Sequence, residues 1–328
     1  MKLPVLVLVI PLLAACASQN GPTVTPSVSP TDCRTTWTDP TLSLPTADEV
    51  KLLESSAQKQ AAVQPSVSAA PGPPADAKPG QPSYFLRLPA PLPDGPLWVL
   101  AVLHGFGERG SEFSRNFVQL ADANHWILIA PTFVYTDLNN PIDTRTDDMR
   151  FATELSEILR DVPRRTGLAT HARALLLGFS RGGSTVERFA LIHPEQVQAV
   201  AALSGGAYTL PQACVEKNGK TEALPLPLGT ADIATWTRHP FDAAGFKRIP
   251  FWLSVGANDN QPKYLPSTYD VMIGQSRLAR GQTLERALIG FGVPDVHLTV
   301  YPGVNHKVTP PMVRDAGEFL AQQIGPPS

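Results

Sequence analysis

Residues 172–183, ARALLLGFSRGG, join an apolar run to a glycine-flanked serine and lead into a stretch of helical period. An apolar run without polar alternation is typical of a strand that is buried on both faces, as in a parallel sheet. Gly178 and Gly182 permit a sharp turn and close packing around Ser180. The stretch therefore predicts a strand–turn–helix that projects the Ser180 hydroxyl above the end of a sheet, at the positive end of a helix.

The same apolar texture recurs along the chain from residue 83. We predict strands in the alternating stretch SYFLRL (83–88) and in the apolar runs LWVLAVL (97–103), WILIAPTF (126–133), VQAVAALSGG (197–206), IPFWLSVGAND (249–259) and VHLTVYPG (296–303). Buried strands that alternate with helical segments predict an α/β fold, with a mostly parallel central sheet and helices on both faces. Residues 207–248 break this rhythm, and we interpret them as an excursion over the rim of the sheet.

Ligands of parallel sheets collect at the carboxyl ends of the strands, and two candidate side chains lie there. His306 follows the run 296–303 by a short loop, so its ring is predicted to lie beside Ser180 as a base. Asp259 ends the run 249–259, between Ser180 and His306 in the chain, and is the candidate that orients the imidazole. The other aspartates of that interval are predicted to be solvated caps or loop residues: Asp232, Asp242, Asp270 and Asp295.

A second glycine-rich turn, HGFG (104–107), ends the predicted strand 97–103. It can turn the backbone so that the Phe106 amide points toward Ser180. Together with the amide of Arg181, this amide is predicted to form an oxyanion hole, and His104 is predicted to be a structural part of the turn. The turn lacks the glycine spacing of nucleotide-binding loops, which argues against a nucleotide cofactor.

The charge pattern excludes some partners. The chain carries a formal net charge of -2 and no long run of Lys or Arg, which argues against a nucleic-acid-binding surface. The acidic stretch TDLNNPIDTRTDD (136–148) lacks a recognisable metal-ligand spacing, so we predict a solvated loop with helix caps there. We expect no metal and no organic cofactor.

The first residues indicate export. Met1-Lys2 precedes an apolar run that is too short to span a bilayer, as in a secretory signal peptide. LAAC (13–16) resembles the lipobox of bacterial lipoproteins, which implies cleavage before Cys16, acylation of that cysteine, for instance with palmitate, and an extracytoplasmic membrane anchor. With Ala17 in the next position, outer-membrane sorting is favoured in a Gram-negative host. An ordinary secretory signal with a chance cysteine is the alternative.

Three segments are therefore expected: a signal peptide (1–15), a lipid-anchored tether (16–82) and a catalytic domain (83–328). The tether is rich in Ser, Thr, Pro and Ala, a composition that buries too little apolar surface to fold, apart from one marginal helix that starts at Thr46. Outside the cytoplasm, a disulfide between Cys33 and Cys214 and two unpaired thiols are equally consistent with the sequence.

The order Ser180, Asp259, His306, together with the glycine turns around Ser180 and Phe106, resembles the α/β-hydrolase superfamily over about residues 83–324. Within it, the GFSRGG, GAND and YPGVNH segments are most similar to the polyhydroxybutyrate depolymerase and feruloyl or acetylxylan esterase-like group, with dienelactone hydrolases and carboxylesterases nearby. Arg181 stands where Met, Ala or Gln is more usual in that group. The resemblance implies acyl transfer to water through an acyl-enzyme on Ser180.

We therefore expect a carboxylic-ester hydrolase that acts on a small-molecule or polymeric ester. Tyr208, Trp236 and Trp252 are candidate apolar walls for the substrate. Two alternatives stay open: a serine peptidase or amidase of the same fold, and a surface lipoprotein that uses the fold only for binding.

Overall fold

The computed structural model describes residues 84–137, 139–217, 220–261 and 265–325. The predicted signal peptide, Cys16, Cys33 and the tether with its helix from Thr46 lie outside the described residues, so these interpretations stay predictions.

Strands form at all seven predicted positions, and a hairpin adds two more in the described residues. The strands are β1 (Tyr84–Arg87), β2 (Val99–Leu103), β3 (Ile127–Pro131), β4 (Ala174–Phe179), β5 (Val197–Leu203), β6 (Cys214–Lys217), β7 (Lys220–Ala223), β8 (Phe251–Gly256) and β9 (Val296–Tyr301). Seven of them form one sheet in the order β1-β3-β2-β4-β5-β8-β9. Only β1 pairs antiparallel in this sheet, so the predicted mostly parallel sheet is confirmed.

Helices cover both faces of this sheet. They are α1 (Gly110–Phe113), α2 (Val118–Ala123), α3 (Pro141–Thr166), α4 (Arg181–Ile192), α5 (Ile233–Thr237), α6 (Ala243–Phe246), α7 (Asp270–Ile273), α8 (Arg277–Phe291) and α9 (Pro310–Gln322), with short 3-10 turns at Ser114–Phe117, Pro194–Gln196 and Ser267–Tyr269. No helix in the described ranges has the length and apolar character needed to cross a bilayer.

Strand residues alternate between two cores, as the period of a strand requires. Leu100 and Val102 point to the core that contains α2 and α9, whereas Val99 and Ala101 point to the core that contains α3, α4 and α8. This burial on both faces explains the continuous apolar runs of the sequence.

Residues 207–248, predicted as an excursion, contain the β6–β7 hairpin, α5 and α6. Tyr208, Leu224, Ile233 and Phe246 in this segment are buried in the same core as α3 and α4. The segment is therefore an integral part of the packed fold.

The turn between β4 and α4 packs against the end of β2 without room for a side chain. A Cβ on Gly182 would lie 2.2 Å from the Leu103 carbonyl oxygen and 2.6 Å from that of His104. A Cβ on Gly178 would lie 2.2 Å from the carbonyl oxygen of Gly182. Glycine at these two positions brings Ser180 to the carboxyl edge of the sheet, beside the turn that follows β2.

Replacing Gly182 with Ala is expected to lower the free energy of unfolding by about 3 kcal/mol, because the added methyl group overpacks against backbone atoms that cannot move independently. Gly281→Ala in α8 is the matched control. Of the described residues, its Cβ would meet only Leu298, at an ordinary 3.4 Å, and Ala is the better helix former by about 1 kcal/mol. Urea unfolding followed by circular dichroism measures both changes. Wild-type stability of the Gly182→Ala protein would contradict this packing.

Candidate active site

Ser180 lies in a backbone conformation that a side chain rarely adopts. Its φ is 56° and its ψ is -117°, and such values persist only where the surrounding structure imposes them. The Ser180 N–H donates to the Leu203 carbonyl oxygen at 2.8 Å, and the Ser180 carbonyl oxygen accepts from the Ser184 N–H at 3.2 Å. β5 and α4 therefore hold the turn on both sides, and the hydroxyl projects at the carboxyl edge of the sheet.

Two hydrogen bonds connect Ser180 to the predicted base and acid. His306 Nε2 lies 2.9 Å from Ser180 Oγ, and His306 Nδ1 lies 2.8 Å from Asp259 Oδ2. Phe179 stacks on the imidazole with ring centroids 4.7 Å apart. Asp259 is fully buried, whereas the His306 side chain is 22% exposed. The structure thus brings the three residues into one row that opens to solvent at the imidazole.

The loops that carry the acid and the imidazole are bonded to each other through their backbones. The Asn258 N–H donates to the Val304 carbonyl oxygen, and the Ala257 N–H donates to that of Tyr301, both at 2.9 Å. A Cβ on Gly256 would lie 2.2 Å from the Val304 carbonyl oxygen. This close approach of neighbouring strand ends fixes Asp259 relative to His306.

Sequence reasoning missed a fourth member of this row. Arg277, the first residue of α8, places Nη1 3.0 Å from Asp259 Oδ1, and both side chains are almost completely buried. Burial lowers the pKa of the Arg277 guanidinium, while the nearby Asp259 carboxylate acts in the opposite direction. The sequence shows a helical stretch before the last strand, but it does not mark Arg277 as a site residue. An arginine at the start of a helix is ordinarily exposed.

The turn after β2 is fixed around Gly105. The Gly105 N–H donates to a Glu108 carboxylate oxygen at 2.8 Å, and the Glu108 N–H lies 3.4 Å from the Gly105 carbonyl oxygen. A Cβ on Gly105 would lie 3.4 Å from Ser180 Cβ, so the turn touches the serine. Within the described residues the amides of Phe106 and Arg181 have no hydrogen-bond acceptor, as a developing oxyanion requires of its donors.

His104 fixes the same turn from inside the protein. The Phe133 N–H donates to His104 Nε2 at 2.9 Å, so the ring proton is on Nδ1, which lies 2.7 Å from the Gly105 carbonyl oxygen. Tyr135 donates its hydroxyl proton to the His104 carbonyl oxygen at 2.9 Å. Burial lowers the pKa of His104 to about 4. The ring is therefore neutral at pH 7 and serves as a bridge within the turn.

The side chain of Arg181 points away from the serine. Its guanidinium lies 2.8 Å from Asp148 Oδ1, and Arg188 pairs with the other oxygen of that carboxylate. Asp148 and the neighbouring Asp147 are buried in α3. The prediction of a solvated loop over 136–148 is wrong from Pro141 onward, where α3 begins. Asp148 is buried because it pairs with the two arginines of α4, and Asp147 because it accepts hydrogen bonds from the Thr136 amide and hydroxyl.

The three predicted substrate walls have different surroundings. Trp252 is 5% exposed, near the amino end of β8, and its indole donates to Thr299 Oγ1 at 3.1 Å. This position is at the wrong end of the strand for contact with substrate, so the prediction for Trp252 is wrong: its side chain belongs to the sheet core. Tyr208 is also buried, and its hydroxyl accepts from the Gly205 N–H at 3.0 Å.

Trp236 is the exposed member of that set. Its ring is 41% exposed and stacks under the Arg145 guanidinium at 3.9 Å. The indole N–H donates to Asp232 Oδ2 at 2.8 Å, and Asp232 Oδ1 accepts from the Leu226 N–H at 2.7 Å. The prediction that Asp232 is solvated is therefore wrong, because the excursion folds over its carboxylate. Whether Trp236 contacts substrate stays a prediction.

Two further predictions concern cysteine and metal. Cys214 is buried and disulfide-bonded. Its predicted partner, Cys33, lies outside the described residues, so that pairing stays a prediction. The described residues contain no group of three His, Cys, Asp or Glu side chains arranged to hold a metal ion.

No protein-family model and no curated protein matches the chain. Solved structures do resemble it. Poly(aspartic acid) hydrolase-1 from Sphingomonas sp. KT-1 is 20% identical, with a TM-score of 0.56, over 72% of this chain and 92% of the other. LpqC, a poly(3-hydroxybutyrate) depolymerase from Bordetella parapertussis, is 21% identical, with a TM-score of 0.55, over 75% of this chain and 85% of the other.

A third similar structure is esterase PE8, at 18% identity and a TM-score of 0.50, over 74% of this chain and 100% of the other. Identities this low show a shared fold. Together with the strand order, they confirm the predicted α/β-hydrolase fold.

His104 is expected to remain neutral at pH 5 in the folded protein. The unfolded chain takes up a proton at this residue near pH 6.5 but the folded protein only near pH 4. The stability that the buried neutral ring contributes is therefore complete above pH 6.5 and is lost as the pH falls toward 4. Nitrogen-15 NMR of the imidazole, with His104→Gln to assign the signal, measures the midpoint. A midpoint near 6.5 would refute the buried bridge.

Proposed function

We propose that this protein is a serine hydrolase that cleaves carboxylic esters through an acyl-enzyme. The observation that carries the proposal is the hydrogen-bonded row of Ser180, His306 and Asp259. It lies beside two backbone amides that have no acceptor within the described residues. A nucleophile, a base, an orienting acid and oxyanion donors at one point are the parts that acyl transfer requires.

Each residue has one role in the proposed reaction. His306 Nε2 takes the proton of Ser180 Oγ as the oxygen attacks the ester carbonyl. The amides of Phe106 and Arg181 donate to the oxyanion that forms, and Asp259 stabilises the imidazolium through Nδ1. The imidazolium then protonates the leaving alcohol, and an acyl-enzyme remains on Ser180. Water deprotonated by the same imidazole releases the acid and restores the serine.

The surroundings of the serine favour an uncharged acyl group. Arg181 follows the nucleophile, but its charge is buried against Asp148. The Phe106 side chain, by contrast, is 42% exposed, on a residue whose amide is one of the proposed oxyanion donors. This exposed apolar side chain supports a small-molecule or polymeric ester as the substrate. The names of the similar structures, a depolymerase and an esterase, point the same way.

Amide hydrolysis is the second candidate reaction. The poly(aspartic acid) hydrolase among the similar structures favours it, because that name denotes a polymer joined by amide bonds. A non-catalytic binding protein is the third candidate. Binding alone requires neither the hydrogen bond between Ser180 and His306 nor the constrained backbone at Ser180, and the structure has both.

We also propose that the protein is an extracytoplasmic lipoprotein anchored through Cys16. The support is the LAAC segment at the end of a short apolar run. The tether that follows would let the described domain reach substrate away from the bilayer.

Replacing the row residues in the full-length protein is expected to abolish turnover while the fold is retained. Ser180→Ala and His306→Ala should lower kcat by about 10⁶-fold, and Asp259→Asn by about 10⁴-fold because the imidazole loses its orienting acceptor. The assay is hydrolysis of p-nitrophenyl esters of increasing acyl length. Ser111→Ala and His297→Ala, both exposed, are the matched controls.

Labelling with a fluorophosphonate probe separates the candidate reactions. Ser180-dependent labelling with ester turnover supports the esterase, and labelling with turnover of p-nitroanilides but not of esters would move the assignment to an amidase. A folded wild-type protein that is not labelled would overturn the hydrolase proposal.

Cys16→Ser is expected to move the protein from the membrane fraction to the soluble fraction of the cells that make it, because the acyl chains supply the anchor. Ser27→Ala in the predicted tether is the control and should leave the protein on the membrane. Fractionation followed by immunoblotting measures the distribution. Persistence of the Cys16→Ser protein on the membrane would defeat the lipid-anchor proposal.

A further inference from the structure

The first turn of α8 carries two arginines whose side chains are almost entirely inside the protein. Arg277 is 2% exposed and Arg280 is fully buried. Arginine is rarely buried unless it is paired, because removal of its charge from water is costly. Both guanidiniums point toward loops at the carboxyl edge of the sheet. The sequence places them three residues apart, so they occupy neighbouring positions on one face of the helix.

We propose that Arg277 is the positioning residue of the active site: it holds the Asp259 carboxylate ionised and oriented so that the acid can serve His306. This inference rests on the proposed hydrolase function. Arg277 Nη1 lies 3.0 Å from Oδ1, while His306 Nδ1 lies 2.8 Å from Oδ2. Each carboxylate oxygen thus has its own partner, and rotation of the carboxylate about its bond would break both hydrogen bonds.

The burial of the pair makes the counter-charge necessary. Asp259 is fully buried, and a lone carboxylate in such a place would take up a proton or move toward solvent. A protonated Asp259 would accept poorly from His306 and would not stabilise the imidazolium. Arg277 prevents both protonation of the carboxylate and its movement toward solvent, because the guanidinium is charged and lies within hydrogen-bond distance of Asp259 Oδ1.

Arg280 anchors the helix turn from which Arg277 reaches the acid. Its guanidinium donates to the carbonyl oxygens of Gly206, Pro266 and Gly274, and pairs with the carboxylate of Asp270 at 2.8 Å. These partners belong to the segments that follow β5 and β8. The same helix turn therefore ties both loops together and fixes the backbone from which Arg277 reaches Asp259.

The ionisable groups that face the pair come from three elements. They are His306 from the loop after β9, Arg280 from α8, and Tyr208 from the segment after β5. Burial raises the pKa of the Tyr208 hydroxyl, so it is neutral at pH 7. Asp259 is thus the negative partner for both His306 and Arg277.

The test compares Arg277→Met and Arg277→Lys in the full-length protein by the pH dependence of kcat/KM for p-nitrophenyl acetate. Arg277→Met is expected to lower kcat/KM at pH 7 by about 100-fold, because the acid and the imidazole lose their fixed positions, and to move the acid limb of the profile up by about one pH unit. The limb moves up because the Asp259 carboxylate, when Arg277 no longer shares its charge, stabilises the imidazolium of His306 more strongly. Arg277→Lys, which keeps a positive charge, should restore most of the activity and the position of the limb.

Arg286→Met is the control on the same helix, because Arg286 is partly exposed and, among the residues that the structure describes, hydrogen-bonds only Thr283. It should leave both the rate and the profile unchanged. If Arg277 only stabilised the fold, Arg277→Met would lower the fraction of protein that the fluorophosphonate labels. The acid limb of the kcat/KM profile would then stay in place. An Arg277→Met profile that superimposes on that of wild type would overturn the inference.

A stability cycle keeps the test independent of activity. Arg277→Met and Asp259→Asn should each lower the midpoint of urea unfolding, since each leaves a buried charge without its partner. The double variant should recover part of the loss, whereas simple additivity of the two losses would refute the pairing. If wild type neither hydrolyses esters nor reacts with the fluorophosphonate, the proposed function fails, and this cycle still decides whether Arg277 and Asp259 are coupled.

Discussion

A Cβ on Gly182 would lie 2.2 Å from the carbonyl oxygen of Leu103, so the first turn of α4 and the end of β2 are in backbone contact. The arrangement of the site depends on this approach. It accompanies the positive φ of 56° at Ser180, and the turn at Gly105 lies so close to the serine that a Cβ on Gly105 would be 3.4 Å from Ser180 Cβ. The proposed oxyanion donors follow from it, because the Phe106 and Arg181 amides lie on the two sides of that contact.

The second constraint is that charged side chains buried beneath the site must be neutralised by partners inside the protein. Burial raises the pKa of Glu187 to about 8, so this carboxyl is neutral at pH 7 and Asp148 carries the negative charge for Arg181 and Arg188. Asp259 does the same for Arg277. These ion pairs neutralise buried arginine charge near the carboxyl edge, where the turn after β2 exposes the Phe106 ring and the Glu108 carboxylate, and this surface suits a neutral acyl group better than an anionic one.

The sequence predicted the strands and the row well for a physical reason. Strands buried on both faces require continuous apolar runs, and the carboxyl end of each run marked where Ser180 and Asp259 would lie. The side of the sheet to which each strand residue points was not predictable in the same way. The run IPFWLSV is apolar throughout, so it shows neither which side of β8 Trp252 faces nor how far Trp252 lies from the carboxyl edge of the sheet. Arg277, Asp148 and Asp232 were missed or misjudged because the burial of a charged side chain depends on a partner that is distant in the chain.

The most direct test of the account is to trap the acyl-enzyme itself. Rapid acid quench of the protein during turnover of p-nitrophenyl acetate, followed by peptide mass spectrometry, locates the acetyl group. The account predicts one acetyl group on the peptide that contains Ser180, and its accumulation in a burst of p-nitrophenol. Turnover with no acetylated peptide, or with the acetyl group on another residue, would contradict it.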